Sequence, residues 1–261
     1  MTVRIDHDGR GIATITVDRA AKLNALNSEM VEALASAATS VGQEAGLRAV
    51  VLRGAGTRAF IGGADIAEMG ALADAAAARA FITRVHRACD ALRRIPVPVI
   101  ARVQGYALGA GLEIAASCDL RVASEGASFG MPEVRIGLPS VVEAALLPGL
   151  IGWGRARRLL LTGETIDAAR ALAWGLVEEV VADAALDAAV ERVLASVLAS
   201  APNAVRLQKE LVGAWEDLPL REAVQRGIDV FERAWRTEEP RRTIADFLDA
   251  ERRRKGPCPT G

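Results

Sequence analysis

The stretch Pro98-Val-Ile-Ala-Arg-Val103-Gln-Gly105-Tyr-Ala-Leu-Gly109-Ala-Gly-Leu-Glu113-Ile-Ala-Ala-Ser-Cys-Asp119-Leu-Arg-Val-Ala123 decides the fold. Val97–Val103, mostly apolar and broken only by Arg102, reads as a strand. A turn of small residues follows, and Gly109–Ser117 reads as a short helix. Leu120–Ala123 is a second strand. Strand, helix and strand in succession are the alternation of an α/β fold.

The same alternation extends outward. Val3–Asp8 and Ile12–Asp18 alternate apolar and polar residues around Asp8-Gly9, which predicts a β-hairpin. Ser28–Glu44 carries Met30, Val31, Leu34, Ala37, Ala38 and Val41 at helical spacing. Ala49–Arg53 predicts a strand, and Ala64–Met69 and Ala73–Arg94 predict helices, the second ended by Pro96 and Pro98. Further helices are predicted over Ser140–Leu150, Arg155–Leu161 and Ile166–Trp174, with a strand over Leu176–Val181. After Asp183 every segment has helical period. The expected organisation is an α/β core over 1–200 and an all-helical region over 201–261. A thin helical layer cannot bury itself, so Val205, Leu211, Val230, Phe231 and Phe247 are expected to pack on another subunit. The end, RRRKGPCPTG, is expected to fray.

Bulk properties narrow the function. The chain has 261 residues, 51% of them hydrophobic, and a mean hydropathy of +0.20, so it has a sizeable core and is not disordered. Its net charge of −1 argues against a nucleic-acid binder driven by bulk charge. Cys89, Cys118 and Cys258 are far apart, which speaks against a disulfide scaffold or a zinc site. The start MTVRIDHDGRG has no signal-like apolar region, and no apolar run reaches the ~20 residues of a membrane helix. A cytoplasmic protein without membrane contact is expected. Only His7 and His86 are available for histidine chemistry, and His86, beside Arg84 and Arg87, reads as a solvated or packed side chain.

Two glutamates stand out. Glu113 follows the Gly109-Ala-Gly turn, and Glu133 follows Phe129-Gly-Met-Pro. Two carboxyls can share acid and base work. Gly62-Gly63-Ala64-Asp65 and Gly109-Ala110-Gly111 can each aim free backbone N–H groups at an anionic oxygen. Each feature also has an ordinary reading: a packing turn, a carboxylate favoured by a helix dipole, an exposed loop acid. Ser140-x-x-Glu143 reads first as a capping box, with a pocket role for Glu143 as the competitor.

The joint pattern separates these readings. Arg19-Ala-Ala-Lys22-Leu-Asn-Ala-Leu-Asn27, AFIGGADIAEM, PVIARVQGYALGAGLEIAASCDLRVAS, ASFGMPEVRIGLP and GRARRLLLTGETIDAARALAWGLVEEVV occur in that order. Over about residues 3–250 the chain resembles the crotonase (enoyl-CoA hydratase/isomerase) superfamily. The resemblance implies a spiral of ββα units with a C-terminal helical trimerisation region, and trimers commonly paired into hexamers. It implies an acyl-CoA thioester as substrate in fatty acid metabolism, with no separate cofactor and no metal. Gly62 and Ala110 match the two oxyanion donors, and Glu113 and Glu133 match the hydratase glutamates. By that match Glu113 helps activate water and Glu133 supplies a proton to the α carbon. Lys22, Ala25, Leu26, Gly62, Gly63, Ala64, Asp65, Ile66 and Ala110 fall in the CoA-holding segments, and Lys209 resembles a lysine reaching the CoA phosphate of a neighbouring subunit.

The expected activity is therefore an enoyl-CoA hydratase. The alternatives are an isomerase or thioester hydrolase of the same superfamily, or a non-catalytic, RNA-binding member. Two departures bear on the substrate. Ala110 stands where the family usually has Gly, and Pro139-Ser-Val-Val-Glu-Ala144 replaces a glycine-rich run, placing Val142 and Glu143 near the expected acyl pocket.

Overall fold

A computed structural model describes residues 2–255; Cys258 and the last residues of the expected frayed tail lie outside them. The chain divides into two compact units, Met1–Ala195 and Ser196–Gly261. The division falls inside a helix rather than between residues 200 and 201.

Among the described residues the first unit holds ten strands: β1 (Thr2–His7), β2 (Ile12–Asp18), β3 (Ala49–Gly54), β4 (Ala59–Ile61), β5 (Val99–Val103), β6 (Tyr106–Leu108), β7 (Leu120–Ser124), β8 (Ser128–Gly130), β9 (Thr165–Asp167) and β10 (Glu179–Val181). They form a six-stranded sheet in the order β1-β2-β3-β5-β7-β10 and a four-stranded sheet in the order β4-β6-β8-β9. The predicted hairpin is present, with Thr2 opposite Asp18 and His7 opposite Ala13. From β2 to β10 the large sheet is parallel. Parallel strands are covered on both faces, and every residue of β5 is buried, including Arg102, whose guanidinium pairs with Asp187. The four strands of the small sheet have three residues each, too few to show alternation. Ile166, expected in a helix, lies in β9 for that reason.

The helices are α1 (Ser28–Gly42), α2 (Ile66–Gly70), α3 (Ala75–Arg93), α4 (Ala110–Ala116), α5 (Leu147–Ile151), α6 (Trp153–Thr162), α7 (Ala168–Trp174) and α8 (Leu186–Ala199). Asn27 caps α1 by accepting the Met30 N–H at 3.0 Å, and the buried face is the one the sequence spacing predicts. Leu34 at its centre is fully buried, so Leu34→Ala would cost about 2–5 kcal/mol. Asp74 caps α3, which buries Phe81, Val85, Ala88, Cys89 and Leu92. The predicted helix over Ser140–Leu150 is instead a 3-10 turn over Val142–Leu146 followed by α5.

The second unit contains α9 (Pro202–Trp215), α10 (Leu220–Ala234) and α11 (Glu239–Lys255). Glu239 accepts the N–H groups of Asn203 and Ala204, satisfying donors at the start of α9. Leu211 and Val230 are buried within the protomer, so these two do not await a partner as expected, while Val205 is half-buried. Phe231 and Phe247 remain 67% and 64% exposed. No helix among the described residues is long and apolar enough to cross a membrane.

Candidate active site

The turn between β6 and α4 forms the floor of the site. Gly109 adopts φ 52 and ψ −123, a conformation closed to side-chain-bearing residues, and its N–H reaches the Gly130 carbonyl at 2.9 Å. A Cβ on Gly111 would overlap the Ile61 carbonyl, so glycine there lets α4 lie directly on β4. Ala110 heads α4, where its methyl is tolerated and its N–H has no partner among the described residues.

The opposite wall is made by residues 22–26 and 62–66, which zip together. The Leu26 N–H donates to the Gly63 carbonyl and the Asp65 N–H to the Leu26 carbonyl, both at 2.8 Å. The Gly62 N–H donates to the Leu23 carbonyl at 2.8 Å. This corrects the expected donor: the Gly62 N–H is already used in the loop. Two residues on, the Ala64 N–H has no partner among the described residues. Asp65 caps α2 and pairs with Arg19 at 2.6 Å, and Arg19 holds its carboxyl below the ordinary value. Fully buried Asn24 holds the loop by donating to the carbonyls of Ala55 and Ala59.

A cavity of about 670 Å³ opens between these walls. Gly62, Gly63, Ala64, Ile66, Ala110, Glu113 and Glu133 line it, with Leu72, Phe81, Ile82 and Val85 among its apolar side chains. Lys22, Ala25, Leu26 and Asp65 do not line it; they build the wall behind. Val142 and Glu143, expected as pocket residues, do not line it either, because the 3-10 turn presents Val141 to the cavity and turns Glu143 inward.

Glu113 is 4% exposed on α4, and its Oε1 accepts the Ala144 N–H at 3.2 Å. Burial, first, and then the charge of Glu133 push its carboxyl up to about 8; the Ala144 hydrogen bond works the other way, and Glu143 adds a further upward push. Glu133 lies on the 3-10 turn Pro132–Ile136, and the Ser140 hydroxyl donates to its Oε2 at 2.7 Å. Ser140 therefore orients a carboxyl instead of capping a helix. Glu143 forms no capping box: it is 7% exposed and its Oε1 lies 2.7 Å from Nδ1 of His86 on α3.

The Ser140–Glu133 bond, the His86–Glu143 bond and the free Ala64 N–H have no signature in the sequence. The loop zipper uses the Gly62 N–H and leaves that of Ala64 free, and no residue type announces it. The sequence pattern of the enoyl-CoA hydratase/isomerase family matches residues 7–255. The chain belongs to that family. It is 33% identical over 248 residues to a short-chain-enoyl-CoA hydratase of Clostridium acetobutylicum, covering 95% of this chain and 94% of the other. The structure of an enoyl-CoA hydratase from Mycobacterium smegmatis superposes with a TM-score of 0.93 at 31% identity, covering 96% of this chain and 97% of that one. The Bacillus anthracis enoyl-CoA hydratase superposes with a TM-score of 0.91 at 30% identity over 96% and 97% of the chains. The fold expected from the family resemblance is thus present, as an enoyl-CoA hydratase-like member of the crotonase superfamily.

Proposed function

We propose that this family member is an enoyl-CoA hydratase that adds water across the double bond of a 2-enoyl-CoA thioester. One observation carries the reading: two carboxyls and two unpartnered backbone N–H groups line a single, largely apolar cavity. The N–H groups of Ala64 and Ala110 are the proposed oxyanion donors, with Ala64 in place of Gly62. As the water oxygen bonds to the β carbon, the double-bond electrons move onto the thioester oxygen. Donors already in position stabilise that charge, and losing one costs about 10²–10³ in rate.

The proton balance needs one ionised and one neutral carboxyl. The ionised group takes a proton from water, and the neutral group gives one to the α carbon, so no net proton is exchanged. Burial and the neighbouring Glu133 charge favour the proton on Glu113. The family resemblance gives the α-carbon proton to Glu133. A water between the two carboxyls would let the shared proton pass to Glu133 as the acyl group enters. For the step to run, the two carboxyls must hold one proton between them.

The exposed apolar side chains of the second unit, among them Leu220, Phe231 and Phe247, support a homotrimer, alone or paired into a hexamer. The test of function is product identification after mixing with crotonyl-CoA. A 3-hydroxyacyl-CoA is expected. Double-bond migration, or release of free CoA, would assign the isomerase or the hydrolase instead.

A further inference from the structure

Glu143 is the least expected carboxyl in the fold. It is 7% exposed, and its Oε2 is buried with no hydrogen-bond partner. Its Oε1 lies 2.7 Å from Nδ1 of His86, whose side chain is 54% exposed. The residue before it, Val142, has φ 42, a left-handed conformation that a β-branched side chain adopts only under constraint. The residue after it, Ala144, donates its N–H to Glu113. The strained turn thus joins the His86 contact to the Glu113 contact within three consecutive residues.

We propose that His86 and Glu143 are positioning residues for Glu113: their hydrogen bond pins the Val142–Leu146 turn to α3, which holds the Ala144 N–H on the Glu113 carboxyl and keeps a second buried carboxylate behind it. The proposal rests on Glu113 being one of the reacting carboxyls. The two effects on Glu113 oppose each other. The Ala144 N–H favours its ionised form, and the Glu143 charge favours its protonated form. The pair therefore sets where Glu113 releases its proton. The titratable groups facing this cluster are Glu133 from the 132–136 turn, Cys89 and His86 from α3, and Glu113 itself from α4. Burial and the charge of Glu143 keep the Cys89 thiol protonated, so it adds no charge.

The test is the titration of the Glu113 carboxyl, read from the infrared band of a protonated carboxylic acid and assigned by its absence in Glu113→Gln. In the wild-type protein the band disappears as pH rises through about 8. Glu143→Gln keeps the shape and an acceptor for His86 but removes the charge, so the midpoint falls by roughly one pH unit. In His86→Leu the turn loses its anchor. The Ala144 amide resonance, which follows the Glu113 titration in the wild type, then stops following it. An unmoved midpoint in Glu143→Gln, or an Ala144 amide that still follows Glu113 in His86→Leu, overturns the proposal. If Glu143→Gln does not fold, the His86→Leu measurement decides alone. Neither readout needs turnover. A wild-type protein that titrates in this way but does not hydrate 2-enoyl-CoA would contradict the hydratase reading and leave the pair intact.

Discussion

Gly109 and Glu133 occupy each other's space: a Cβ built on Gly109 would overlap Oε1 of Glu133. The backbone of the turn that heads α4 is therefore the seat of the Glu133 carboxyl. Gly109→Ala is expected to lose activity twice over. Its positive φ costs on the order of 1–3 kcal/mol, and the methyl displaces Glu133. Turnover on crotonyl-CoA should fall by about 10² or more. A folded Gly109→Ala protein with unchanged turnover would show that Glu133 need not sit there.

Ser140 holds the other oxygen of Glu133, at 2.7 Å. Ser140→Ala should leave the fold intact and lower kcat by about 10–150-fold, the equivalent of one hydrogen bond to a charged group. KM should change little. An effect confined to melting temperature would return Ser140 to the capping role that its sequence context suggests.

The raised proton affinity of Glu113 makes a stability prediction. Its ordinary value is 4.5, and the folded protein holds it at about 8. Between these values the unfolded chain releases a proton that the folded chain keeps, so stability falls as pH rises through the window. Glu113→Gln keeps the acceptor for the Ala144 N–H and cannot ionise. Its gain over the wild type should be absent near pH 4 and grow to roughly 3 kcal/mol near pH 7. Denaturant unfolding at the two pH values, at one protein concentration, measures it. A gain independent of pH would contradict a protonated, buried Glu113.

The oxyanion assignment has its own test. Ala64→Pro removes the free N–H, with an expected loss of about 10²–10³ in kcat in a protein of normal circular dichroism. Gly62→Pro should instead damage the loop, because that N–H is bonded to Leu23. A large loss of kcat in Gly62→Pro with the fold and Tm preserved would reverse the assignment.

Much of this site is legible in the chain because its determinants are local. The face of α1 follows from the spacing of Met30, Leu34 and Ala38, and Gly109 and Gly111 announce a turn where backbone must approach backbone. What is not legible depends on contacts between distant segments. Gly62 or Ala64 as donor is decided by Leu23, on another loop. Ser140 and Glu143 satisfy the local rule for a capping box, yet each is taken by a tertiary partner, Glu133 and His86. The small sheet escapes for a simpler reason: strands such as Ala59–Ile61 carry no period to read.

In the proposed reaction Glu113 and Glu133 work on one water in one cavity. Steady-state hydration of crotonyl-CoA by the wild type, Glu113→Gln and Glu133→Gln tests it most directly. A 3-hydroxyacyl-CoA product is expected for the wild type and a fall in kcat of at least about 10² in each variant, with KM changed only a few-fold. Full hydration by either variant, or double-bond migration without addition of water by the wild type, would contradict it.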